Sequence, residues 1–225
     1  MRFDVITIFP KIIEAYLGES ILKRAQERKL VEFCIYDLHK FSRDAKHHKV
    51  DDRPYGGGPG MVMQAEPIAQ AIGSALKAKG KPQKAKIVLF SARGKQFTAK
   101  MAADWAKRYD RIIMIAGRYE GVDERIKKIY RMEEISMGPY VLTGGELPAL
   151  VVADAVSRHI PGVLGAHESL EEKRYGVGVP AYTRPEIFRW PARGRDKKKK
   201  TYRVPKVLLS GDHKKIAEWR KKHAK

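Results

Sequence analysis

Two short glycine-bounded turns hold the side chains best suited to chemistry. The first is Gly117-Arg118-Tyr119-Glu120-Gly121-Val122-Asp123-Glu124-Arg125, which directly follows the apolar run RIIMIA at residues 111–116. A β-branched run that ends in a charged, glycine-flanked turn reads as a strand delivering its C-terminal loop to a ligand site, the place where α/β sheets bind substrates. The second is Thr143-Gly144-Gly145-Glu146, after another short extended piece. A third glycine cluster, residues 56–60, follows Asp51-Asp52-Arg53-Pro54-Tyr55. It lacks Gly-Lys-Ser/Thr and does not lie between a strand and a helix start, so it is not a phosphate loop. Its functional reading is a bare backbone surface that a flat base or a partner chain can approach closely; the bland reading is an irregular loop. Arg93-Gly94-Lys95 is a short basic turn of a common kind. His47 and His48 stand beside Asp51 and Asp52, but no third histidine or cysteine has ligand spacing, and no metal site is expected. Arg158 and His159 end a mostly apolar segment. Arg158 is either a cation favouring a helix C-terminus or an active-site cation aimed at an oxyanion.

The charge balance suggests a partner. Lys and Arg number 46 against 26 Asp and Glu, a formal net charge of +20. In residues 193–225 there are 14 Lys and Arg against 3 acids, so the last 33 residues hold +11 of that excess. Such a bias predicts attraction to phosphate backbones or anionic surfaces and says nothing about fold. Cys34 is the single cysteine, which excludes an intramolecular disulfide and a thiolate metal cluster. It lies in a strand-like run and is expected to be a small core residue in a reduced, cytoplasmic protein. The N-terminus has no signal-peptide pattern, and no apolar run approaches a membrane span.

These turns need elements to position them. Alternation and β-branching predict strands over residues 2–9, 31–37, 86–90 and 111–116, with short extended pieces at 134–137 and 140–142. Helical spacing predicts helices over 20–30 with Ser20 as cap, 64–79 with Pro67 in the first turn, 98–108 capped by Thr98, 123–130 and 146–159. Residues 42–60 read as a long, polar, glycine-rich loop. Strand and helix alternate from residue 1 to about 160, which predicts an α/β domain with a mostly parallel sheet covered on both faces. Residues 161–184 read as a linker or lid, and residues 185–225 as a small basic unit. Its helix at 212–225 places Ile216 and Trp219 on one face.

Five segments carry a family resemblance: VDDRPYGGGPGM (50–61), GRYEGVDER (117–125), YVLTGGELPA (140–149), DAVSRHIPGVLG (154–165) and YTRPE (182–186). In order and spacing they resemble the bacterial tRNA (guanine-N1)-methyltransferases of the SPOUT superfamily, which modify the guanine just 3′ of the anticodon. The resemblance runs from residue 1 to about 222. It implies a deep trefoil knot in the α/β domain and a small helical C-terminal domain that grips tRNA. It also implies a homodimer with active sites at the subunit interface, and S-adenosylmethionine as methyl donor, with magnesium as an accompanying ion. The donor loops fall on Leu89, Phe90, Ser91 and Ala92, then on Gly117, Tyr119, Glu120 and Gly121. A third set is Met137, Gly138, Pro139, Tyr140, Val141 and Leu142, followed by Gly144, Gly145 and Pro148. Asp51, Gly60, Met61 and Arg184 are implied to meet the tRNA, and Arg158 to stabilise the charge that develops on guanine O6. Glu120 is implied to line the pocket and take part in catalysis.

The chain departs from the pattern at the general base. The family has an aspartate in a Glu-Glu-Asp-Ser-Phe-like string; here the string is Glu171-Glu172-Lys173-Arg174-Tyr175, with Lys173 in the aspartate's place. A lysine is protonated near neutral pH unless strongly desolvated, so it makes a poor base. Either Glu172 (less favoured, Glu171) supplies the base, or the chain is a SPOUT-fold tRNA-binding protein with little or no catalysis. Pro139 stands where the family usually has aspartate, and the lysine-rich insert 192–202 adds nonspecific phosphate attraction.

Overall fold

The computed structural model describes residues 1–78, 84–165, 178–191 and 199–224. The chain divides into two compact units, Met1–His167 and Glu168–Lys225.

The first unit opens with β1 (Arg2–Thr7), helices α1 (Pro10–Leu17) and α2 (Ser20–Glu27), and β2 (Glu32–Asp37). Two short strands, β3 (Asp51–Asp52) and β4 (Val62–Met63), bracket the glycine cluster and pair antiparallel. Then come α3 (Ala65–Lys77), β5 (Ala85–Gln96), α4 (Ala99–Arg108), β6 (Arg111–Ile115), α5 (Ile126–Ile129), β7 (Glu133–Ser136) and α6 (Glu146–Ser157). The sheet order is β2-β1-β6-β5-β7, and every pair in it is parallel.

The sequence accounts for this arrangement. All five residues of β6, RIIMI, are buried, as expected for a central strand covered on both faces. Side chains alternate along it. Ile112 and Met114 join Phe3 and Val5 in one core, with Leu22, Trp105 and Val152 from α2, α4 and α6. Ile113 and Ile115 join Ile6 in the other, with Ile68 and Ile72 of α3 and Ile126 of α5. Each such side chain contributes about 1.5–3 kcal/mol through burial, so these two faces dominate the fold's stability. At the amino ends of the strands, Asp4 is fully buried between Arg2 at 2.9 Å and Arg111 at 3.2 Å. Burial raises the Asp4 pKa, and the hydrogen bond and charge of Arg2 oppose it.

Several expectations need correction. Residues 10–17 form α1, where the sequence reading placed no helix; proline suits the first helical turn because its missing N–H would be unsatisfied there anyway. Ser20 does not cap α2: it is the first helical residue, at φ 51°, and Glu19 precedes it without a side-chain cap. Residues 140–142 form no strand. Cys34 is half-buried rather than a core residue, and burial pushes its thiol up to about 11. Thr98 does cap α4, its hydroxyl accepting from the Met101 N–H at 3.3 Å.

The second unit contains an antiparallel hairpin, β8 (Ile187–Pro191) with β9 (Lys199–Arg203), which the sequence reading did not anticipate. Helices α7 (Lys206–Leu209) and α8 (His213–His223) follow. Asp212 caps α8, accepting from the Lys214 and Lys215 N–H groups at 3.1 Å each. Ile216 and Trp219 face the same groove, with Tyr182, Arg184 and Leu209.

Candidate active site

Because the strands are parallel, the exits of β6 and β7 lie at one edge of the sheet, and a looped-out segment of β5 joins them there. Phe90 and Lys95 of β5 both stand opposite Ile135 of β7, so residues 91–94 leave the ladder. The residues that follow β6 and β7 complete a cleft of about 430 Å³. Its walls are Leu89, Phe90, Ser91, Ala92 and Arg93 from β5, and Gly117 to Val122 after β6. Met137, Tyr140, Val141, Leu142, Thr143, Gly144 and Gly145 follow β7, and Pro148 comes from the first turn of α6.

The loops are tied to one another. The buried Glu146 carboxylate accepts from the Thr7 hydroxyl at 2.8 Å and from Arg118 Nε at 2.9 Å. Arg118 also donates to the Thr143 carbonyl at 3.2 Å, and its guanidinium lies 4.7 Å from the centre of the Phe9 ring. The Gly145 N–H donates to the Gly117 carbonyl at 2.8 Å. A Cβ at Gly145 would stand 2.6 Å from Ala116 Cα, so only glycine permits this approach of the two loops.

The glycine-cluster segment is held to the same loop. The Glu120 N–H donates to the Met61 carbonyl at 3.0 Å, and the Met63 N–H to the Gly121 carbonyl at 2.9 Å. A Cβ at Gly60, whose φ is +84°, would lie 2.6 Å from Glu120 Oε1. Tyr119 sits at φ 60° and is half exposed. Burial raises its phenol pKa, and the nearby Asp51 carboxylate adds to the rise. Asp51, Gly60, Met61, Tyr119 and Glu120 therefore share one neighbourhood.

One rim of the cleft is an ion network. Arg93 contacts Glu124 closely and Glu134 at 3.2 Å, while Lys127 bridges the same two carboxylates at 2.8 and 2.5 Å. The Lys127 hydrogen bond leads in holding the Glu124 pKa down. Burial works to raise Glu134, and hydrogen bonds from Lys127, Arg93 and Ser91 outweigh it. Arg93, read in the sequence as a basic turn, is thus neutralised by carboxylates.

Of the expected donor-loop residues, Gly138 and Pro139 do not line the cleft; the others do. The Gly138 carbonyl accepts from the Ser136 hydroxyl at 2.9 Å and from the Tyr140 N–H, also at 2.9 Å. Arg158 lies elsewhere in the same unit. It follows the last residue of α6 and lines a second cleft of about 270 Å³ with Tyr16, Ser20, Asp154 and Ser157. Arg184 belongs to the second unit. Glu171, Glu172 and Lys173 lie outside the described residues. Sequence reasoning missed Arg118 and Glu146 as a clamp, and Glu124, Lys127 and Glu134 as a rim. Arg118 and Glu146 were visible as charged members of the two glycine turns, but their pairing is 28 residues apart and appears only on folding.

A family model described as tRNA (Guanine-1)-methyltransferase TrmD matches residues 1–225. The chain belongs to this family. Among curated relatives, a tRNA (guanine-N(1)-)-methyltransferase of Thermomicrobium roseum is 49% identical over 225 residues, covering 98% of this chain and 78% of the relative. One from Moorella thermoacetica is 45% identical over 227 residues, covering 100% and 85%. Another from Dehalococcoides mccartyi is 44% identical over 227 residues, covering 100% and 86%. The cleft of this family member is assembled from the same glycine turns that carried the resemblance.

Proposed function

We propose that this enzyme transfers a methyl group from S-adenosylmethionine to N1 of a tRNA guanine, the one just 3′ of the anticodon. The observation that carries the reading is the convergence of the family's glycine turns on one cleft at the carboxyl edge of a parallel sheet. The cleft suits an adenosyl donor. Its size lies within the range of small-molecule sites, and the close approach of the Gly117 and Gly145 backbones leaves a wall that a Cβ would obstruct. The donor supplies an electrophilic methyl on its sulfonium.

This chain's residues must do the rest. Guanine N1 carries a proton and is a poor nucleophile until it is removed, so a base must stand within hydrogen-bond reach. Glu172 is proposed for that role, in place of the family's aspartate. As N1 loses its proton, negative charge spreads to O6, where the Arg158 guanidinium stabilises it. Within one chain Arg158 lines a different cleft from the donor loops. The proposed homodimer resolves this: the partner subunit's Arg158 serves the cleft of the first. Glu120 and Tyr119 hold donor and base together, while Asp51, Gly60 and Met61 meet the guanine or its neighbour. The deep trefoil knot and a tRNA-gripping role for the second unit, with Arg184, belong to the same proposal. Magnesium has no residues assigned to it: among the described residues no group of three or more His, Cys, Asp or Glu could hold a metal. No helix among the described residues is long and apolar enough to cross a membrane.

The direct test is incubation with labelled donor and tRNA transcript, followed by mapping of the product. Methyl on guanine N1 next to the anticodon is expected; its absence across a range of pH would end the reading. Arg158→Ala should lower turnover by about 10²-fold or more with little change in donor affinity. Glu172→Gln should cripple turnover more than Lys173→Ala; the reverse ranking would reassign the base.

A further inference from the structure

Between the Tyr182-Thr183-Arg184-Pro185-Glu186 motif and α7, strands β8 and β9 pair as a hairpin, and the sequence over 187–203 holds eight Lys and Arg against one acid. The register sets Phe188 opposite Tyr202 and Trp190 opposite Lys200. With a side-chain period of two, these four share one face, and Ile187, Arg189, Thr201 and Arg203 share the other. The rings lie open to solvent: Phe188, Trp190 and Tyr202 are 49%, 59% and 52% exposed, and on the other face Arg189, Thr201 and Arg203 are exposed while Ile187 is half-buried. Phe188 stacks on Trp190 with centroids 5.6 Å apart and planes 22° apart, and its centroid lies 6.4 Å from that of Tyr202.

Cross-strand aromatic pairs steady a hairpin by about 0.2–1 kcal/mol. They would do so equally well facing inward. Hairpin stability therefore leaves unexplained why the rings face solvent and why the flanking charges are cations. A protein surface docking here would have to be both apolar and acidic. A nucleic-acid strand offers flat π faces and phosphates together, which is what a ring cluster beside Lys200 matches.

We propose that this face is a stacking platform for unpaired bases of an RNA strand. Lys200 takes an adjacent phosphate, and Arg189 and Arg203 add to the positive field. The proposal rests on the tRNA-directed function above only for the identity of the RNA; its test involves no methyl transfer.

The full chain is titrated with a fluorescent single-stranded oligoadenylate and with an RNA duplex of equal length, at several salt concentrations. Trp190→Ala is expected to weaken single-strand binding about ten-fold with an unchanged salt slope, and to leave duplex binding within two-fold. Lys200→Gln is expected to make the salt slope shallower by roughly 0.7. Trp190→Phe should retain most of the affinity while losing the part of the oligoadenylate-induced tryptophan quench that the native chain shows. That variant keeps the question open to test if Trp190→Ala fails to fold. Single-strand affinity within two-fold of native in both Trp190→Ala and Tyr202→Ala would overturn the proposal. So would equal losses on duplex and single strand, an unchanged quench in Trp190→Phe, or ring-dependent binding of polyglutamate. If tRNA is methylated but the rings do not matter, the platform fails and the function stands. If the rings matter but no guanine is methylated, the platform stands and the function fails.

Discussion

Glu146 is the side chain on which the geometry of the cleft most depends. The residue is 1% exposed, yet its carboxylate satisfies Thr7 on β1 and Arg118 on the loop after β6 while opening α6. Removing one partner of a buried pair leaves the other charge uncompensated, which typically costs about 3–5 kcal/mol. Arg118 keeps some contact with water, so Glu146→Ala should cost about 3 kcal/mol in urea unfolding. It should also weaken adenosyl-ligand binding, because the Arg118 side chain that holds the Thr143 carbonyl loses its anchor. Thr7→Val removes one neutral donor and should cost about 1 kcal/mol. Equal costs for the two variants would show that the ion pair adds nothing to the clamp.

The loops act as elements only because they can touch. Gly145→Ala places a methyl 2.6 Å from the Ala116 backbone, where no side-chain rotation relieves it. A loss of about 1–3 kcal/mol is expected, with donor affinity falling at least ten-fold as the two loops part. Isothermal titration with an adenosyl ligand measures the second effect. The rim network gives these elements a pH dependence. Glu124 and Glu134 both have depressed pKa values, led by the Lys127 hydrogen bond for Glu124 and, for Glu134, by hydrogen bonds that outweigh burial. A depressed carboxylate contributes stability above its unfolded pKa and loses it as pH falls through the folded value. The rim should therefore hold above about pH 4.3 and weaken below it. Thermal melts from neutral to acidic pH should show a smaller acid-side drop in the Glu134→Gln variant than in the native chain.

Taken whole, the molecule is a cation of formal charge +20 with +11 in its last 33 residues. If about six phosphates are neutralised, tRNA affinity should fall roughly 10³-fold between about 50 and 200 mM salt. A flat salt profile would remove the electrostatic part of the tRNA reading. The two compact units divide the labour in this view: the α/β unit supplies the cleft, and the basic unit supplies much of the attraction.

Much of this was written in the residue order. Continuous apolar runs such as RIIMIA, helical spacing in residues 98–108, and alternation of the two announced a parallel sheet, since a doubly covered strand must be apolar throughout and a capped helix needs its Thr98. The turns that follow the strands were legible as ligand loops because α/β sheets bind substrates at the carboxyl ends of their strands. Helix α1 and the hairpin β8–β9 were not legible. Proline both ends and starts elements, and KKTYR reads as a charge run until Phe188 and Tyr202 pair across it. The Arg118–Glu146 clamp and the Phe90/Lys95 slip against Ile135 were decided only by folding. Sequence periodicity reports which face a residue occupies; which distant residue meets it there depends on how strands order in space, and that is a property of the packed sheet alone.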